Sequence, residues 1–122
     1  MKIKTVLVAA ALVGSGLAAP MTAQASLSQC SSNYMCVWGN TDYVWLIAKQ
    51  YHGNQSWVDP FSGDEDNQAD SYANYSGTYT GCLAQNLNGG GDRVSMPRGG
   101  RDSNLAVWND NEASSMRTAY GC

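Results

Sequence analysis

The stretch Asp66–Gly77 reads DNQADSYANYSG, and the stretch Asp110–Gly121 reads DNEASSMRTAYG. In register, Asp, Asn, Ala, Ser and the closing Gly coincide at positions one, two, four, six and twelve. A short chain that writes one polar motif twice builds one local structure twice, which restricts it to folds with internal duplication. In each copy the Asp-Asn pair can close a turn through its own side chains, and the Ser that follows can bond nearby backbone. Each copy also ends a unit that opens with a cysteine-containing run, about Cys36–Gly81 and then Cys82–Cys122. Each unit has room for about four short strands, one Greek key. Two such units facing each other would bury their apolar faces together.

The N-terminus reads MKIKTVLVAAALVGSGLAAPMTAQAS. Two lysines, an apolar run over Val6–Leu17 and the small-x-small site Ala23-Gln24-Ala25 predict a secretory signal peptide over residues 1–25, cut after Ala25. The apolar run is too short to span a bilayer, and no second run of spanning length follows. The mature part, residues 26–122, is the size of one domain. It keeps all ten acidic side chains against five basic ones, Lys49, Arg93, Arg98, Arg101 and Arg117. The scattered bases leave no nucleic-acid footprint.

All four cysteines, Cys30, Cys36, Cys82 and Cys122, lie in the mature part. An even count in a small exported domain reads as two disulfides. Three pairings exist. Cys30 and Cys36 close a local loop most easily, which leaves Cys82 for Cys122. A four-cysteine zinc site would need CxxC pairs, and there are none.

Helical periodicity is absent. Short runs rich in Val, Trp, Tyr, Leu and Ile alternate with Gly, Asn, Asp and Ser: YMCVWG, YVWLIAKQY, SWVDPF, CLAQNL, DRVSM and NLAVW. This spacing predicts an all-β sandwich or barrel. The segment NLNGGGDR is turn chemistry and predicts the bend of a hairpin.

Catalytic constellations are missing. His52 is the one histidine and lies in the polar run KQYHGNQS, which reads as surface. Asp64, Glu65 and Asp66 are adjacent on an expected solvated loop rather than paired for acid–base work. No nucleophile triad, HExxH or phosphate-cradling loop occurs, so the chain is expected not to be an enzyme. Trp38, Trp45 and Trp108 fall in strand-like runs and read as core. The alternative for the four tryptophans and seven tyrosines together is a carbohydrate-binding platform, and Trp57 is the one the core reading places least firmly.

DNQADS and DNEASS resemble the N/D-N/D-x-x-S/T-S corner of the βγ-crystallin superfamily, with Asp70 standing where Ser or Thr is expected in the first copy. With the opening CSSNYMCVW, a C-x5-C pattern, the chain resembles the small secreted inhibitors of the Streptomyces metalloproteinase inhibitor type, peptidase inhibitor family thirty-six. The resemblance covers the whole mature chain. It implies a monomeric, two-Greek-key βγ-crystallin-like sandwich, stapled by two disulfides, that blocks a secreted metalloproteinase and engages neither membrane nor nucleic acid. It places the inhibitory bond at Cys82–Leu83, with Thr80 and Gly81 on one side of the contact and Ala84 and Gln85 on the other. The residue-level alternative is that Leu83 is the first core residue of the second unit. An inhibitor needs this segment exposed and extended, whereas a binding module can bury it in a sheet.

The same resemblance makes the corners candidate Ca²⁺ sites, with Asp70 and Ser114 at the fifth positions and Asp66, Asn67, Asp110 and Asn111 as further oxygen donors. No cofactor is required. Alternative readings of the same fold are a calcium-stabilised binding module and a secreted antimicrobial or toxin-like protein. The acidic stretch at 59–70 reads as an inserted loop that could alter docking.

Overall fold

The computed structural model describes residues 26–61, 63–105 and 113–122. The leader expected over 1–25 lies outside the described residues, as do Trp108, Asp110 and Asn111. Among the described residues seven antiparallel strands form two sheets: β1 (Tyr34–Asn40), β2 (Val44–Tyr51), β3 (Ser71–Asn74), β4 (Gly81–Ala84), β5 (Arg93–Met96), β6 (Arg101–Asp102) and β7 (Ser115–Arg117). The first sheet has the order β2-β1-β3-β6 and the second β5-β4-β7. No α-helix occurs among the described residues. The fold is the expected all-β sandwich.

The two units are built alike. Met35, Cys36, Val37 and Trp38 of β1 pair with Asn74, Ala73, Tyr72 and Ser71 of β3. Cys82, Leu83 and Ala84 of β4 pair with Arg117, Met116 and Ser115 of β7. Cys36 and Cys82 therefore hold equivalent places. Ser71 and Ser115, the sixth residues of the repeated motif, act in parallel. Ser71 Oγ donates to Asn40 O at 2.7 Å and accepts Tyr43 N–H at 3.2 Å. Ser115 Oγ donates to Asn86 O at 2.6 Å and accepts Gly89 N–H at 3.1 Å. Each serine closes the hairpin turn of its unit. Each turn carries a left-handed residue, Asp42 (φ 58°) or Asn88 (φ 55°), of the types that tolerate that conformation. NLNGGGDR is thus the β4–β5 bend, clamped by Gln85 N–H to Asp92 O and Asn86 N–H to Gly90 O.

The units are not two separate keys laid face to face. β6 belongs to the second unit by sequence but pairs with β3 of the first, Tyr72 opposite Asp102. The first unit returns the exchange through Val58, which bridges to Met116 on β7. Matching backbone bonds flank both crossings: Asn74 N–H to Gly100 O, 2.8 Å, and Thr118 N–H to Asn54 O, 3.1 Å.

Between the sheets, Met35, Val37, Ala48 and Tyr72 meet Leu83, Met96 and Met116, with Phe61, Ala69, Leu105 and Ala113 from the connections. Methionine, unbranched and adaptable, fills the gaps between such short strands. A smaller cluster of Cys30, Cys36, Trp38 and Ala73 lies on the outer face of the first sheet. Trp38 is fully buried there, its indole N–H donating to Gln29 Oε1 at 2.8 Å. Trp45 packs against the main core with φ 69°, and Gly39 is required beside it because a Cβ would lie 2.1 Å from its ring. The disulfides are Cys30–Cys36 and Cys82–Cys122, so β1 is tied to the segment before it and β4 to Cys122.

Three strands run through polar sequence and escape the apolar pattern: SYAN, RD and SMR. Of the expected runs, SWVDPF contributes only the Val58 bridge, and Leu105 is buried without being in a strand. The acidic stretch is anchored rather than a free loop. Phe61 enters the core, Asn67 N–H bonds Ala113 O and Asp70 N–H bonds Trp38 O.

Candidate binding surfaces and the paired corners

Cys82 and Leu83 form part of the central strand of the second sheet, paired on both sides and without exposed area. Gly81 and Ala84 are equally buried. A Cβ on Gly81 would lie 2.4 Å from Met35 Sδ. Thr80 and Gln85, at the strand's ends, are half-buried. The segment is extended but not exposed, and the residue-level alternative holds: Leu83 is a core side chain. A protease cleft could reach this bond only if β4 left both neighbours. A polar substitution at Leu83 would report on folding, not on docking.

The corners come together across the two units. Ser114 Oγ donates to Asn67 Oδ1 at 3.0 Å. Asn67 takes the left-handed conformation, φ 61°, which asparagine tolerates. Next to it Asp66 Oδ1 is buried with no hydrogen-bond partner among the described residues. Burial raises the pKa of Asp70 above the ordinary aspartate value. Among the described residues no three His, Cys, Asp or Glu side chains gather. The donor set at the corners is therefore mixed, with amide, hydroxyl and carboxylate oxygens, all of the hard type that Ca²⁺ takes.

A concave depression of about 480 Å³ opens at one end of the first sheet, lined by Cys30, Ser32, Tyr75, Ser76, Gly77 and Gly99. Its rim includes the loop closed by Cys30–Cys36, in which Ser31 and Ser32 are exposed. That loop is held by Tyr34 N–H to Ser31 O, Asn33 N–H to Tyr75 O and His52 N–H to Asn33 O. His52 is half-buried rather than a surface residue, packed edge-on against Tyr51 and Tyr79. Ser76 Oγ accepts Thr78 N–H and Tyr79 N–H and lies 2.6 Å from His52 Nδ1. With both hydroxyl lone pairs engaged, its single proton goes to Nδ1, which leaves the imidazole proton on Nε2. The histidine is a structural tie for the 76–79 turn.

On the other sheet Trp57 is half-buried beneath two guanidinium groups. Arg93 Cζ and Arg117 Cζ lie 5.1 Å and 4.8 Å from its ring. In sequence these arginines are scattered bases 24 positions apart. Their convergence depends on β5 and β7 flanking β4.

No protein-family model matches the chain, and no curated protein matches it. Among solved structures it is similar to one from work on the evolution of the eye lens βγ-crystallin domain fold. The TM-score is 0.58 at 12% identity over 71% of this chain and 85% of that one. It is also similar to the N-terminal domain of Protein S, with a TM-score of 0.51 at 18% identity over 73% of this chain and 99% of that one. At these identities the likeness establishes the fold, that of a βγ-crystallin domain.

Proposed function

We propose that the chain is an exported recognition domain that acts by surface contact rather than chemistry, and that it blocks a secreted metalloproteinase. The observation that carries the contact reading is the concave surface beside the disulfide-closed loop. There the exposed Ser31 and Ser32 are held in place before any partner arrives. A loop fixed in advance loses little freedom on association. The two disulfides fit an oxidising, extracellular setting. The partner class rests on the resemblance of the C-x5-C opening and of the corner motif. Because Leu83 is sealed in β4, blockade proceeds by covering the protease cleft, not by presenting the Cys82 carbonyl to its zinc.

The test is a titration of a thermolysin-like protease with the leader-free protein, alongside Ser32→Trp, which fills the depression. Inhibition by the wild-type chain and its loss in a Ser32→Trp protein with unchanged Tm are the expected results. Absence of inhibition at micromolar excess overturns the partner. Equal inhibition by Ser32→Trp overturns the contact surface.

A second reading, calcium at the corners, is favoured by the orphaned Asp66 Oδ1 beside the Asn67–Ser114 pair. Asp66, Asn67, Asp70 and Ser114 are the described residues that would hold the ion. A bound ion would tie the two corners together.

A further inference from the structure

The outer face of the second sheet carries a constellation that the inhibitor reading does not use. Side chains alternate along a strand, so Leu83, Met96 and Met116 point into the core while Cys82, Ala84, Arg93 and Arg117 share the opposite face. β5 and β7 lie two strand spacings apart, about 9.5 Å. From these two strands Arg93 and Arg117 both reach one indole, Trp57. Trp57 itself is seated against Gly89, where a Cβ would lie 2.3 Å from the ring.

The donor accounting is lopsided. Arg93 Nε donates to Gly89 O at 2.8 Å and Nη1 to Cys122 O at 3.4 Å. Arg117 Nε donates to Gly121 O at 3.0 Å. Both planes are thus fixed by backbone carbonyls and an aromatic ring. Among the described residues the terminal amino groups of Arg117 and Nη2 of Arg93 make no hydrogen bond, and both side chains reach solvent. A fork held in this way matches a carboxylate with two parallel hydrogen bonds. Among the described residues the large exposed apolar side chains are Tyr51, Leu87 and Tyr120. Two of these, Leu87 and Tyr120, belong to the turn and the chain end whose carbonyls hold the arginines.

We propose that Arg93, Trp57 and Arg117 form a binding site for a uronic-acid saccharide, its carboxylate on the Arg117 fork and an apolar sugar face against Tyr120. The site offers donors, positive charge and flat apolar surface. The carbonyls beside it are already spent on the arginines. A uronate brings acceptors and apolar C–H faces and fits that offer. A peptide brings backbone N–H groups that would need those same carbonyls.

The test uses the disulfide-intact, leader-free chain and isothermal titration with an oligogalacturonate, a neutral oligosaccharide of equal length, hexaglutamate and inorganic phosphate. The expected result is binding of the oligogalacturonate alone, weakened at least tenfold by Arg117→Gln. Arg117→Lys, which keeps the charge but loses the fork, should not restore it. Tm of each variant reports whether the fold survives, and Arg93→Gln supplies an independent loss should Arg117→Gln fail to fold. Equal or tighter binding of hexaglutamate reassigns the site to acidic peptides and overturns the proposal. Equal binding of phosphate, or no binding by any probe, overturns it as well and leaves the arginines as a cover for Trp57. None of these readouts involves a protease, so failure here and failure of the inhibitor reading are separable.

Discussion

Ser71 and Ser115 show how a polar motif specifies a fold. Each is buried, donates once and accepts once, and closes its own hairpin turn. Replacing either by Ala strands a buried carbonyl and a backbone N–H, a loss of about 1–3 kcal/mol. Urea unfolding of Ser71→Ala and Ser115→Ala should show similar losses, because the two do the same job. Asp70 gives a pH test. Burial raises its pKa, so the folded chain binds this proton more tightly than the unfolded one. Stability from this group is then present at low pH and falls as pH rises from the ordinary aspartate value, about 3.9, through the raised folded value. In chelator, Asp70→Asn should gain on the wild type above that window and show no gain below it, read by urea midpoints at several pH values. Calcium is tested at the same corner. If the ion binds the folded form, millimolar Ca²⁺ should raise Tm relative to chelator by mass action, and Asp66→Asn should shrink the rise. Equal Tm in both buffers would reduce the corners to hydrogen-bonded turns.

At the scale of elements, the disulfides anchor the equivalent strands β1 and β4. Cys36 of β1 is tied six residues back and Cys82 of β4 forty residues forward. The loop-entropy relation assigns about 2 kcal/mol to the short loop and about 4 kcal/mol to the long one. Replacing Cys82 and Cys122 by Ser should therefore lower the urea midpoint more than replacing Cys30 and Cys36. The reverse order would show that pinning the N-terminal segment over Trp38 matters more than loop length.

At the scale of the whole molecule, neither unit is complete alone. The first sheet needs β6 from the second unit, and β7 needs the Val58 bridge from the first. A fragment ending at Gly81 loses an edge strand and the whole Leu83–Met96–Met116 side of the core. Such a fragment should show no cooperative thermal transition. A cooperative melt of residues 26–81 would mean that the exchanged segments contribute little.

The amino-acid sequence by itself determined the duplication, the all-β class, the disulfide partners and the position of the β4–β5 bend. Each of these depends on residues close in sequence, on turn chemistry or on loop closure. It also placed the two corners, because DNQADS and DNEASS are local motifs. The strands SYAN, RD and SMR were illegible, since nothing apolar marks them. SYAN and SMR are buried because Ser71, Asn74 and Ser115 satisfy backbone groups distant in sequence. Whether Leu83 faced solvent or core was decided by strand pairing on both sides of β4. The meeting of Arg93 and Arg117 at Trp57 was decided by the same pairing, because residues far apart along the chain become neighbours only once β5, β4 and β7 lie side by side.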